Sequence, residues 1–255
     1  MPVAAVRADL GTGVTALFTT RSGGVSPEPW GSLNLGANVG DDPLRVARNR
    51  QRVSTLVGAP LVFVSQVHAD GVVHIGSDLP APGGSRAEAA TPPEADAIVT
   101  DLVGTALAVT VADCVPVLMA DPDRRLVAAV HAGRAGILAG VVERAVDRLR
   151  RLGALELRAV VGPCVCEGCY EVPAAMREEV CARVPAAHGR TRQGTPSLDL
   201  RAAVGAHLEE AGVTRVEHVR RCTMEDDAFY SHRRATRAGT TTGRFAGVVV
   251  LDPSV

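Results

Sequence analysis

The chain has 255 residues, a formal net charge of -1 and 27 basic residues, all of them Arg. That length allows one large domain or two small ones with a sizeable core. The charge balance gives no basic field for nucleic acid, and the lack of Lys excludes a P-loop lysine, a Schiff base and a pyridoxal-phosphate anchor.

In chain order, Val14–Phe18 reads as a strand that enters a glycine-containing loop, Thr19 to Ser26. Asp41 or Asp42 caps a helix whose Val46, Arg50 and Val53 fall at helical spacing. Leu61–Val64 and Val72–Ile75 read as strands, and residues 76–94, rich in Pro, Ala, Gly and Ser, as a lid or an inert insert. Three continuous apolar runs, Thr105–Val111, Val115–Met119 and Leu126–Val130, read as buried strands. An amphipathic helix is expected from Ile137 to Leu152, stopped by Gly153. Val160-Val161 ends another strand. Helices follow at Pro173–Val184 and from Ser197 to Ala211, then strands at Arg215–Val219 and Phe245–Leu251. No repeat or composition break divides the chain, which reads as one domain over 1–255. No apolar run approaches bilayer length, and the N-terminus lacks a charged segment followed by an apolar one, so a cytosolic protein is expected.

His68, Cys114 and His131 each follow a predicted strand, so all three can converge at one sheet edge. Two imidazoles and a thiolate suit a catalytic zinc site with one open position; copper fits the same donors on softness. Cys114 with His131 equally suits a nucleophile and its base. A buried small Cys with two satisfied histidines is the plainer alternative. Asp113 reads as a general acid or base in the cleft, or as a turn residue. Cys164, Cys166 and Cys169 form a C-x-C-x-x-C run, but no fourth ligand is evident and Cys181 and Cys222 stand alone. These are expected to be reduced loop cysteines without metal. Anion-friendly turns occur at Arg21 to Gly24 and at Gly133 to Gly136, where Arg134 adds charge. Arg233, Arg234 and Arg244 make a third basic cluster.

Several motifs occur together and in order: Phe18-Thr-Thr-Arg-Ser-Gly-Gly-Val-Ser26, Asn34-Leu35, Asn49-Arg50, Gln66-Val-His68, Ala112-Asp-Cys-Val-Pro116, His131-Ala-Gly133, Cys169-Tyr-Glu-Val172, Phe229-Tyr-Ser231 and Thr242-Gly-Arg244. On these the chain resembles the YfiH, or laccase-domain, family from about Leu17 to Leu251. The resemblance implies an α/β domain with a mixed sheet core flanked by helices, similar also to a cysteine deamidase toxin fold. It implies zinc on His68, Cys114 and His131. It implies phosphorolysis of adenosine, inosine and 5'-methylthioadenosine, with adenosine deamination as a side activity. Copper-dependent polyphenol oxidation is the family's older attribution, and some members are called peptidoglycan editing factors. Its substrates are purine nucleosides and phosphate, with Cys114, His131 and Asp113 as expected catalytic residues. Arg21, Asn34, Arg50, Arg134 and Arg233 are the expected substrate or phosphate contacts. One departure stands out: His131-Ala-Gly-Arg-Ala-Gly136 replaces the common His-Ala-Gly-Trp-Arg-Gly.

Overall fold

A computed structural model describes residues 1–76 and 92–253. The expected lid or insert, 76–94, lies almost wholly outside the described residues. The elements run β1 (Ala5–Ala8), β2 (Val14–Thr19), α1 (Pro43–Val57), β3 (Leu61–Val62), β4 (Val72–Ile75), β5 (Ala97–Thr100), β6 (Ala106–Val111), β7 (Val115–Asp121) and β8 (Leu126–Ala132). They continue with α2 (Arg134–Ala139), α3 (Val141–Arg151), β9 (Arg158–Val161), α4 (Ala174–Arg183), β10 (His188–Arg190) and β11 (Pro196–Leu198). The chain ends with α5 (Leu200–Glu210), β12 (Arg215–His218), α6 (His232–Arg237) and β13 (Phe245–Leu251).

Two mixed sheets form the centre, in the orders β1-β2-β13-β6-β3 and β12-β9-β7-β8-β5-β4. Their period-2 alternation explains the continuous apolar runs. Leu118, Ala120, Val127 and Ala129 join Phe18, Leu107, Val109 and Val249 in a cluster between the sheets. The intervening Val117, Met119, Ala128 and Val130 pack with Val141, Val142, Val146 and Leu149 of α3 and with α5. Val53 of α1 packs with Leu17, Ala108 and Val248 on the outer face of the other sheet. The result is four layers: helix, sheet, sheet, helices. This agrees with the expected α/β class with mixed sheets. No helix among the described residues is long and apolar enough to cross a membrane.

Local boundaries differ from the sequence expectation where glycine and polar caps intervene. The helix expected from Ile137 is two helices, because Gly140 adopts φ 88° and ends α2 as it begins α3. The helix expected from Ser197 begins only at Leu200: Asp199 caps it, accepting from Ala202 N at 2.9 Å. The preceding Pro196–Leu198 instead pairs with β10. The strand expected at Leu61–Val64 shortens to Leu61–Val62. Asp42 is the α1 cap, accepting from Leu44 N at 2.9 Å.

Candidate active site and metal centre

The site is built at one end of the six-stranded sheet. β7 and β8 pair antiparallel with Pro116 opposite His131, so Cys114, just before β7, lies beside the end of β8. β5 pairs with β8 with Ala97 opposite Val130, which brings Asp96 next to His131. The Asp96 carboxylate is fully buried. It accepts from His131 Nδ1 at 2.7 Å and from the backbone N–H groups of Val67, His68 and Ala69 at 3.2, 3.0 and 2.7 Å. One carboxylate thus orients His131 and fixes the loop that carries His68. Burial raises the Asp96 pKa, but the hydrogen bond from His131 and the N–H groups of Ala69 and His68 outweigh it and hold the carboxyl below its usual range.

The ligand atoms of His68, Cys114 and His131 lie within 4.8 Å of one another. The Cys114 sulfur is 3.8 Å from His68 Nε2, and the two imidazoles meet edge to face at 4.6 Å between centroids. Burial opposes the Cys114 thiolate, yet the charge of His131 and hydrogen bonds from both imidazoles lower its pKa to about 6. Burial equally opposes charge on His131, but the thiolate and Asp96 raise its pKa to about 9. A thiolate facing an imidazolium is a donor set in which a cation can replace a proton. Gly133 forms the floor. A Cβ there would sit 2.8 Å from His68 Cδ2 and 3.1 Å from Cys114 Sγ.

The backbone is strained where the site is made. Three non-glycine residues among those described have positive φ, and two of them are His68 (60°) and Asp113 (91°). Asp113 is held there by its own side chain, which accepts from Thr223 Oγ1 at 2.6 Å and from Arg233 N at 2.7 Å.

Two lobes open on either side of His68 and Cys114. The larger, of about 530 Å³, is lined by Arg50, Phe63, Gln66, His232 and Arg244. The smaller, of about 370 Å³, is lined by Asp113, Arg134, Tyr170, Arg233 and His232. Arg50 stacks 3.9 Å from the Phe63 ring and donates twice to Leu35 O, at 3.0 and 2.9 Å. Arg233 lies over Tyr170 at 5.0 Å and donates to Glu171 O at 2.7 Å.

Of the expected substrate contacts, Arg50, Arg134 and Arg233 reach the cleft. Arg21 does not. Its guanidinium donates to Gly31 O at 2.7 Å and pairs with Glu28 at 3.1 Å in a separate depression, away from this cleft. Asn34 lines neither lobe. It is fully buried, donating to Gly36 O at 3.2 Å and Asp41 at 2.9 Å and accepting from Gly36 N and Arg244 N at 2.9 Å. Through that last bond it positions Arg244. Asp96, Tyr170 and Phe63 are further residues of the site: Asp96 stands in the run Ala95-Asp-Ala-Ile-Val-Thr100 and Tyr170 in Cys169-Tyr-Glu-Val172, both motifs of the family resemblance, whereas nothing in the sequence marks Phe63.

The C-x-C-x-x-C run divides in the structure. Cys164 is buried, and burial pushes its thiol up to about 12, against the pull of Arg201. Cys166 and Cys169, by contrast, meet Cys222 and Glu225, so a fourth donor is in place. The sequence distance hid it.

The four-layer α/β fold thus places a thiol–imidazole cluster, a donor set able to hold a metal ion, between two arginine-bearing lobes. Comparison gives the family. Residues 15–252 match the family model described as multi-copper polyphenol oxidoreductase laccase, and the chain belongs to that family, the YfiH or laccase-domain proteins. It is 48% identical over 240 residues to a purine nucleoside phosphorylase of Streptomyces coelicolor, covering 92% of this chain and 94% of that one. A purine nucleoside phosphorylase of Streptomyces griseus is 46% identical, with 92% and 93% covered. The crystal structure of a Neisseria meningitidis protein superposes with a TM-score of 0.83 at 34% identity, covering 97% of this chain and 99% of that one.

Proposed function

We propose that the chain is a zinc-dependent purine nucleoside phosphorylase acting on adenosine, inosine and 5'-methylthioadenosine, with adenosine deamination as a side activity. The observation that carries this reading is the position of His68 and Cys114 at the junction of the two lobes, with His131 beside them in the wall of the larger one. The names of the Streptomyces relatives support the substrate class.

His68, Cys114 and His131 fit zinc by donor chemistry and by the Asp96–His131 contact, which is the usual outer support of a metal-bound imidazole. Zinc bound there supplies a Lewis acid and a water of lowered pKa. The larger lobe falls within the size range of small-molecule pockets, roughly 300–1,000 Å³, and takes the nucleoside. The smaller lobe presents Arg134 and Arg233 and takes phosphate. In phosphorolysis a phosphate oxygen bonds to ribose C1', the glycosidic bond breaks, and the base leaves with the electron pair and takes a proton. Asp113, with both carboxylate oxygens engaged, holds Thr223 and the start of α6 in place and so positions Arg233. Deamination adds water at C6 and expels ammonia.

Copper-dependent polyphenol oxidation is a second reading, favoured by the description of the matching family model. A multicopper cluster would need further histidine ligands. His232 lines both lobes but is not grouped with His68, Cys114 and His131, while His74 lies 3.1 Å from Asp101 and His207 lies 2.9 Å from Glu143.

Inosine separates the outcomes, because it has no C6 amine to lose. Hypoxanthine and ribose 1-phosphate should form, at a rate that rises with phosphate and saturates. Hypoxanthine released without phosphate would make the protein a hydrolase. Absence of product with the cleft metal bound would overturn the catalytic reading, and oxygen uptake with a phenol would favour the second.

A further inference from the structure

A second group of metal-ligating side chains lies outside the cleft. Cys166 and Cys169 flank Glu167-Gly168, and Cys222 and Glu225 flank Thr223-Met224. The two segments are folded alike. Cys169 N and Tyr170 N both donate to Cys166 O at 3.0 Å. Glu225 N and Asp226 N both donate to Cys222 O, at 3.2 and 2.9 Å. Each turn therefore presents a donor side chain at its first and fourth positions, the construction of a metal knuckle.

The two turns are stitched together by backbone. Cys164 and Cys222 form a parallel bridge, with Cys164 N donating to Arg221 O at 3.4 Å and Thr223 N to Cys164 O at 3.1 Å. Cys166 N points at the opposite turn and donates to Cys222 Sγ at 3.3 Å. Cys169 Sγ donates to Glu225 Oε1 at 3.3 Å. All four donor atoms lie within 4.8 Å of one another. Tetrahedral zinc with these ligands needs donor separations of roughly 3.3–3.8 Å, so a contraction of about 1 Å completes it. Cys166, Cys169 and Cys222 are half-buried and Glu225 is exposed, which leaves an entry path.

Charge and softness select the ion. Three thiolates and one carboxylate around a dication leave two negative charges. Arg192 already pairs with Glu225 and lies 3.9 Å from the Cys169 sulfur, where it offsets part of that excess. Thiolates exclude Ca²⁺ and Mg²⁺ and favour zinc.

We propose that Cys166, Cys169, Cys222 and Glu225 form a second, structural zinc site that staples the turn after β9 to the turn after β12. Three thiol protons leave when the metal enters. The site takes no part in the reaction, but its two turns carry one wall of the cleft. Tyr170, next to Cys169, lines the smaller lobe. Thr223, next to Cys222, holds Asp113, and Arg234 donates to Thr223 O and Met224 O at 2.9 and 3.2 Å. The staple thus fixes that wall.

The test is zinc content and cobalt spectroscopy on the full chain. Cys169→Ser should lose one equivalent of zinc relative to wild type. His131→Ala should keep that equivalent and, with Co²⁺, show an intense thiolate-to-metal charge-transfer band that disappears when Cys169→Ser is added. Should Cys169→Ser fail to fold, Glu225→Gln keeps all thiols and should release zinc at a lower chelator concentration than wild type does. Three results would overturn the proposal: Cys169→Ser retaining the full wild-type zinc, His131→Ala giving no thiolate–cobalt band, or a disulfide among Cys166, Cys169 and Cys222 in freshly purified protein. None of these depends on nucleoside turnover, so failure here and failure of the phosphorylase reading are separate results.

Discussion

Asp96 holds His131 and the His68 loop through a single carboxylate, so its loss should be felt at the metal before it is felt at any substrate. Asp96→Asn keeps the shape but not the charge or the full set of accepting lone pairs. Zinc affinity at the cleft should fall about 10–100-fold, the usual cost of removing an outer support. A chelator titration of wild type against the variant measures it, and unchanged affinity would remove Asp96 from the site. The arginines divide in the same physical way. Arg134→Ala and Arg233→Ala each remove charge from the smaller lobe, and each should weaken phosphate binding by about 1.5–3 kcal/mol, the worth of a charge-assisted hydrogen bond. Arg21→Ala should leave phosphate dependence unchanged, since Arg21 is engaged with Gly31 and Glu28 away from the cleft. A phosphate titration of the three variants on inosine decides between these assignments.

At the scale of elements, α3 meets α5 through Glu143 and His207, which are 2.9 Å apart. Burial raises the Glu143 pKa, but the close contact with His207 and the backbone N–H at the helix start outweigh it and lower it. A depressed carboxylate adds stability that is fully present above its unfolded pKa and is lost as pH falls through the folded value. The carboxylate side chain is 38% exposed, so screening keeps the gain small, about 0.3–1 kcal/mol. Glu143→Gln should therefore lower stability near neutrality by that amount and flatten its decline below about pH 4.5, seen by urea titration at a series of pH values. β6, β7 and β8 were legible because both faces are buried and the apolar runs are unbroken. Cys114 and His131 were legible because strand ends expose polar residues. The break at Gly140 was not, since a glycine inside an amphipathic pattern also occurs within continuous helices. The partnership of Cys169 with Glu225 was not legible because it spans 56 residues and depends on how β9 and β12 pair.

For the molecule as a whole, the four layers separate what stabilises the fold from what does the chemistry. The inter-sheet cluster around Phe18, Leu107, Leu118 and Val249 is buried on all sides, whereas the cleft cluster sits at the sheet end with Cys114 only half-buried. Truncations in the two places should therefore have opposite signatures. Leu118→Ala opens a cavity between the sheets and should cost about 2–5 kcal/mol. At this chain length each kcal/mol lowers Tm by about 2–4 °C. The zinc bound per folded chain should stay at the wild-type value, because Cys114 and His131 are held by the strand register and Asp96 rather than by Leu118. Cys114→Ala should do the reverse. It removes one ligand at a sheet edge, so cleft zinc and turnover should be lost, while the metal-free variant melts close to metal-free wild type. Melting both variants in the presence and absence of chelator, alongside zinc analysis, checks the separation. A Cys114→Ala protein that keeps its cleft zinc would sink the ligand assignment. A Leu118→Ala protein that loses zinc in proportion to stability would show that the ligand geometry is set by the core and not by the strand ends.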